Sequence, residues 1–392
     1  INNLAYVVIL SAALDIVGPH VPKGTVLLAN IIPSLIVKLT LPYVIHRIPY
    51  SVRIVICSLS SLLAMQIIAW SPSISVSMSG IVLASASSGL GEMTWLMLTS
   101  LYHPLSVSAF ASGTGAAGVL GAVSFLAMTS LFGWSMRVSL IILSSLPLIM
   151  ALAYFVVLRS PHGHTDEDVE SNVDDAADNN AEKDEHASLA STDEADLKPP
   201  SEMTLKEKLI LSRSLLVPYM LPPMLTAIPS VLCSEYTINQ GVAPTLLYPL
   251  EKTPFRELRD HYVTYQALYQ VGVFISRSSV TLVTIRRLWI PSMMQVVLLG
   301  MLVLHALYFW IGNIWPLFML ILVEGLLGGA TYVNCYYQIT KNVPSTYREF
   351  SLGAVGAADS LGIASAGLIS LWVEGALCQW QQAHGRPWCA SV

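Results

Sequence analysis

Stretches of about twenty residues with almost no charge recur along this chain, and they constrain its fold more than any single motif does. Eleven such segments have cores at 1–17, 25–45, 52–71, 76–101, 107–132, 136–158, 213–247, 262–285, 288–311, 315–340 and 350–375. At about 1.5 Å per residue, a helix of ~20 residues matches the hydrocarbon thickness of a bilayer. A helix that is apolar on every side leaves no face for water. Charged residues make up 11% of the 392, against about 25% in soluble domains. The expected class is an all-α polytopic membrane protein of about eleven transmembrane helices. A soluble all-helical core would have to bury every face of every segment.

Turn-like breaks separate the segments at Gly18-Pro19, Pro49-Tyr50, Ser71-Pro72, His103-Pro104, Gly133, Asn313 and Pro344. Segment 213–247 carries Pro218, Pro222, Pro223, Pro229 and Gly241. Each proline removes a backbone donor, and interrupted helices of this kind line transporter cavities. Residues 160–212 read as an acidic, disordered linker between an N-terminal half (1–159) and a C-terminal half (213–392). Asp166 to Asp196 holds thirteen acids and one lysine, a net of −12, so the total of −5 leaves +7 on the rest. The overall charge therefore gives no reason to expect nucleic acid. The chain opens at Ile1 inside an apolar run, so the start of its first segment is expected to precede that residue.

With the N-terminus in the cytosol, that side receives Arg47, Arg53, Arg159, Lys206, Lys208, Arg213, Arg286, Arg287, Lys341 and Arg348. The other side receives Lys23, Arg137, Lys252, Arg256, Arg259 and Arg386. The excess follows the positive-inside rule and puts the linker in the cytosol and the C-terminus on the far side. The ending Cys389-Ala-Ser-Val resembles a prenylation box, but a tail on the far side does not meet the transferase. Cys378 and Cys389 are a candidate pair. Trp70, Trp310 and Trp315 read as interface anchors, and His305 as a helix histidine with a local partner.

An ionised side chain inside the bilayer costs a few kcal/mol and usually faces a cavity or a partner. Asp15, Lys38, Glu92, Glu235, Arg277, Glu324 and Asp359 are such residues, joined by the neutral Asn239, Gln240 and Asn334. Together they form the candidate substrate or proton pathway. Lys38 and Glu92 are expected to face one cavity and to pair. Arg277 has Glu235 and Glu324 available. Each pairing is either a structural ion pair or part of a substrate or proton site. No zinc-protease, serine-hydrolase, paired-aspartate or Cys/His pattern occurs, so an enzyme is not expected. Nor is any metal or cofactor.

The segments also repeat. Gly115 to Ser124 reads GAAGVLGAVS and Gly356 to Ser365 reads GAADSLGIAS, with six of ten positions identical. Leu90, Gly91, Thr94 and Trp95 are echoed by Leu327, Gly328, Thr331 and Tyr332. The offsets of 241 and 237 suggest two pseudo-repeated halves. The copy breaks where Gly118 becomes Asp359, which is expected to face the cavity or a helix partner. Gly113-Thr-Gly-Ala-Ala-Gly118 matches a dinucleotide-binding pattern, but it lies in a membrane segment and not after a strand. Gly113, Gly115, Gly118, Gly121, Gly325, Gly328, Gly329, Gly356 and Gly362 read instead as close helix-packing positions.

Seven stretches carry a family resemblance: 2–16, 87–92, 112–122, 235–241, 265–279, 324–334 and 358–363, among them EYTINQG, EGLLGGATYVN and ADSLGI. Together they resemble the battenin family, the lysosomal and vacuolar membrane proteins of Batten disease. Fungal members look nearest, because only Gly18 to Gly24 joins the first two segments. The resemblance implies a major-facilitator-like architecture and a place in the vacuolar or lysosomal membrane. It also implies a role in organelle pH homeostasis and transport of basic amino acids (arginine) or glycerophosphodiesters. The expected partners are the lipid bilayer, such a small molecule, and cytosolic trafficking or proton-pump proteins. The rival reading is a non-transporting membrane scaffold.

Overall fold

The computed structural model describes residues 1–17, 22–41, 45, 48–99, 101–102, 105–158, 235–280, 282–343 and 345–391. The linker and the proline-rich part of segment 213–247 lie outside these. The described chain is helical: α1 (Leu4–Ser11), α2 (Ala13–Val17), α3 (Gly24–Thr40), α4 (Tyr50–Ala69), α5 (Ile74–Thr99), α6 (Leu105–Leu126), α7 (Met136–Leu143), α8 (Leu146–Leu152), α9 (Arg259–Ser278), α10 (Trp289–Tyr308), α11 (Ile314–Asn342) and α12 (Ser345–Ala383). Among the described residues, seven helical stretches are long and apolar enough to cross a membrane. Together with Leu4–Val17, α3, α9 and the turns at 235–245, they give the bundle of about eleven. Their outer faces keep Ile36, Leu59, Leu120, Val157 and Trp372 exposed, which suits acyl chains.

Several segments depart from uninterrupted spans. The first breaks at Ala12, the sixth breaks ahead of Pro147, and the eighth ends at Ser278. Residues 235–247 form a π-helical turn over Ile238–Val242 and a 3-10 turn over Ala243–Thr245. Pro244 stands in the second of these, where its missing donor ends regular helix.

Small residues set the helix spacings. A Cβ on Gly272 would lie 2.9 Å from Leu326 N and 3.0 Å from Gly325 Cα, and one on Gly325 would overlap the Tyr269 carbonyl. α9 and α11 therefore touch backbone to backbone, and this seam has no room for a side chain. Overpacking costs about 1–3 kcal/mol where neighbours can shift, and backbone cannot shift readily. Gly325→Leu is expected to abolish monodisperse folded protein in size-exclusion chromatography. Gly300→Leu, with nothing within 4 Å of its Cβ, should leave the profile unchanged.

The two halves meet along two seams. α6 packs on α9, and α12 packs on α3. The repeated glycine stretches lie on α6 and α12, so each half contributes its copy to one seam. Gly115 faces Phe274 Cα at 2.9 Å, Gly118 faces Gln270 and Gly121 faces the Leu4 carbonyl at 3.3 Å. Gly362 is buried on α12. Gly113 departs from expectation: nothing lies within 4 Å of its Cβ, so it packs against no helix.

Candidate functional site

Lys38 sits in the last turn of α3 and Glu92 in the second half of α5. Their side chains form a buried ion pair of 2.8 Å. Glu92 also accepts a 3.1 Å hydrogen bond from the Tyr332 hydroxyl on α11, which ties the first-half pair to the second half. The Arg277 guanidinium lies 3.9 Å from the centre of the Tyr332 ring. Arg277 also donates to Thr114 Oγ1 on α6 at 2.9 Å. A continuous chain, Lys38–Glu92–Tyr332–Arg277–Thr114, thus crosses the interface between the halves twice. Asp359 on α12 is half-buried and lies within electrostatic reach of Lys38, Glu92, Glu235 and Arg277.

The repeat explains this arrangement. Lys38 and Arg277 stand 239 residues apart, inside the range of offsets of the duplicated stretches. Arg277 Cδ lies 3.5 Å from a Cβ built on Gly115, and Lys38 Cδ lies 3.9 Å from one built on Gly356. Each half therefore sends one cation across a seam onto the other half's glycine. The break in the repeat, Gly118 to Asp359, adds a carboxylate beside the two cations.

A second polar group lies within the C-terminal half. Glu324 on α11 is fully buried and accepts from Asn239 Nδ2 at 2.9 Å. Its other oxygen has no hydrogen-bond partner among the described residues. Glu235 accepts from the Tyr269 hydroxyl on α9. A Cβ on Gly328 would stand 2.9 Å from Glu235 Cδ, so this glycine makes room for the carboxyl. Gln266 donates to Asn239 Oδ1 at 3.2 Å, and Gln295 to the Glu324 carbonyl at 3.5 Å. Contrary to expectation, Arg277 forms no ion pair with Glu235 or Glu324 among the described residues. Thr114 and the Tyr332 ring hold its head, and Tyr269 occupies Glu235.

Three candidates stand apart from this centre. Asp15, at the end of the first segment, pairs with Arg259 at the rim. Asn334 accepts the Ile285 N–H at 2.8 Å and donates to the Ala330 carbonyl at 2.9 Å, so it fixes the connection after α9. Gln240 accepts from the Tyr262 hydroxyl at 3.0 Å. His305 bonds Tyr248 at 3.1 Å, as a satisfied helix histidine would.

The two ends of the interface are sealed by different chemistry. At the end that carries Arg286, Arg287 and Lys341, an apolar cluster joins Leu96 and Val107 of the first half to Leu288, Ile339, Val343, Leu352 and Val355 of the second. At the opposite end the seal is polar. Lys23 and Glu374 pair at 3.1 Å, and the Lys23 N–H also donates to Glu374 at 2.8 Å. Ser130 donates to Asp260 at 2.6 Å, and Arg259 holds Asp15. Cys378 and Cys389 are joined by a disulfide at this same end, with Cα atoms 5.7 Å apart.

Sequence reasoning missed Glu374, Thr114, Tyr269 and Tyr332. A signal existed for the tyrosines. Tyr262, Tyr265, Gln266, Tyr269 and Gln270 recur at helical spacing in α9, a polar and aromatic stripe too long for chance on a lipid-facing helix. Among the described residues no group of three or more His, Cys, Asp or Glu is placed to hold a metal.

The fold is shared with a solved transporter. The structure superposes on the nucleoside transporter NupG with a TM-score of 0.51 at 14% identity, covering 97% of this chain and 96% of that one. It is a major-facilitator-like fold. Among curated sequences, protein btn-1 of Neurospora crassa is 44% identical, covering 100% of this chain and 89% of the relative. Protein BTN1 of Yarrowia lipolytica is 43% identical over 99% of this chain and 95% of its own length. Protein btn1 of Schizosaccharomyces pombe is 42% identical over 100% and 94%. The profile of the CLN3 protein family matches residues 1–380. The chain belongs to the CLN3 (battenin) family of multi-pass membrane proteins.

Proposed function

We propose that this protein is a secondary transporter that works by alternating access between its two halves. The observation that carries this reading is the central charged chain. Lys38 and Arg277 come from opposite halves, lie within electrostatic reach of Asp359 and stand between two differently sealed ends. A solute bound there contacts both halves, so it changes the balance between their arrangements only through the contacts that differ. Lys38, Glu92, Arg277 and Asp359 offer both signs of charge, which fits a zwitterion, a cation or a phosphodiester. In line with the family, we propose a basic amino acid such as arginine, or a glycerophosphodiester, as the solute. The vacuolar or lysosomal membrane is the proposed location, and pH homeostasis of that organelle the proposed role. Glu235 and Glu324, two buried carboxyls with no cation in contact among the described residues, are the proposed proton-exchanging pair.

Thermal unfolding of the purified protein against a panel of amino acids and glycerophosphodiesters tests the binding step. A ligand at a hundred times its Kd adds about 2.7 kcal/mol to stability. One of the two solute classes is expected to raise the midpoint by several degrees, while neutral amino acids and free glycerol leave it unmoved. A flat response across both classes would favour the non-transporting scaffold.

A further inference from the structure

The connection between α9 and α10 is held firmly against α11. Asn334 accepts the Ile285 N–H at 2.8 Å, and one turn later Gln338 donates to the carbonyls of Ile285 and Arg286 at 3.2 and 3.1 Å. Beside it opens a cavity of about 420 Å³ lined by Thr284, Arg286, Tyr337, Gln338, Lys341 and Asn342. Among the described residues the lining has two cations, four neutral hydrogen-bonding groups and no carboxylate. The Lys341 ammonium rests 4.8 Å from the centre of the Tyr337 ring, which fixes its direction. Neither Arg286 nor Lys341 forms an ion pair among the described residues. Just before this cavity, Leu282 is 85% exposed and Val283 is 59% exposed.

Two apolar side chains projecting next to unpaired cations suit the boundary between acyl chains and headgroups. This is also the end where Arg286, Arg287, Lys341 and Arg348 gather, and cations at that face of a membrane meet its anionic leaflet. We propose that the cavity binds the phosphate of an anionic lipid headgroup. Arg286 and Lys341 meet the phosphate, and Thr284, Gln338 and Asn342 bond the remaining headgroup oxygens. Leu282 and Val283 lie against the acyl chains. A free phosphate ester shares the charge chemistry, but it gives these two side chains nothing to cover them. The site is separate from the central charged chain, which lies on the far side of the Leu96–Val355 cluster.

Native mass spectrometry of the full chain, released from nanodiscs of phosphatidylcholine containing a minor fraction of phosphatidylinositol phosphate, tests this. Wild type and Lys252→Gln, an exposed lysine at the opposite end, should retain the anionic lipid. The double variant R286Q/K341Q should retain it about thirtyfold less, the effect expected from losing two cations at an anionic surface. Inorganic phosphate in large excess should not displace it. Equal retention by R286Q/K341Q would overturn the proposal. So would equal retention of phosphatidylcholine, or complete displacement by inorganic phosphate, which would mark a site for the free anion.

Discussion

Replacing Lys38 with glutamine should cost about 3–5 kcal/mol of stability, the penalty for stranding one member of a buried ion pair. The lysine and glutamate side chains are only 3% and 11% exposed, so water cannot take over. Glu92 would keep the Tyr332 hydroxyl and nothing cationic in contact. Glu92→Gln should cost less, because Asp359 remains within electrostatic reach of the ammonium. The double variant K38Q/E92Q removes both charges and should recover most of the loss. Thermal unfolding of the four proteins in one detergent measures this as a double-mutant cycle. Additive losses in the double variant would mean that the two residues do not act as a pair.

The second large effect concerns the polar seal. Lys23 is 2% exposed and held by Glu374. Removing that carboxylate takes away an ion pair that ties α12 to the start of α3. Asp15→Asn removes the partly exposed bridge to Arg259 beside the α6–α9 seam. The combined variant D15N/E374Q should therefore favour an arrangement open at the end that carries the disulfide. Leu27 reports this, being fully buried and facing Gly367 across the seam. With Leu27→Cys as the probe, a membrane-impermeant maleimide should react at least about tenfold faster in D15N/E374Q, since each ~1.4 kcal/mol shift is a factor of ten. An unchanged rate would show that the bridges decorate the rim without holding it shut.

Much of the fold was legible because a membrane makes its demands in one dimension. The lengths of the apolar runs give the spans, and the duplicated GAAGVLGAVS and GAADSLGIAS stretches give the two halves. The family assignment came from the same residues. The Lys38–Glu92 pair was legible because the two are opposite charges in otherwise apolar helices of the first half. The partners of Arg277 were not. Charge counting offers Glu235 and Glu324, whereas the structure uses a threonine hydroxyl and a tyrosine ring, which no charge rule singles out. Glu374 was overlooked because it stands where the last apolar run ends, and its partner Lys23 looked like an ordinary rim lysine. Asp15 and Asn334 were read as pathway residues from depth alone. Their backbone and rim partners come from loop paths that periodicity does not carry. The departure of Gly113 from the α6 seam is a matter of helical phase, about 200° away from Gly115 at ~100° per residue.

On the proposed function, a solute crosses the membrane through the charged chain shared by the two halves. The direct measurement is uptake of labelled arginine and of a labelled glycerophosphodiester into proteoliposomes, with wild type and the folded K38Q/E92Q variant side by side. Wild type should show saturable uptake of one of them, and the double variant almost none. Uptake of neither solute by wild type, or equal uptake by the two proteins, would rule this pathway out.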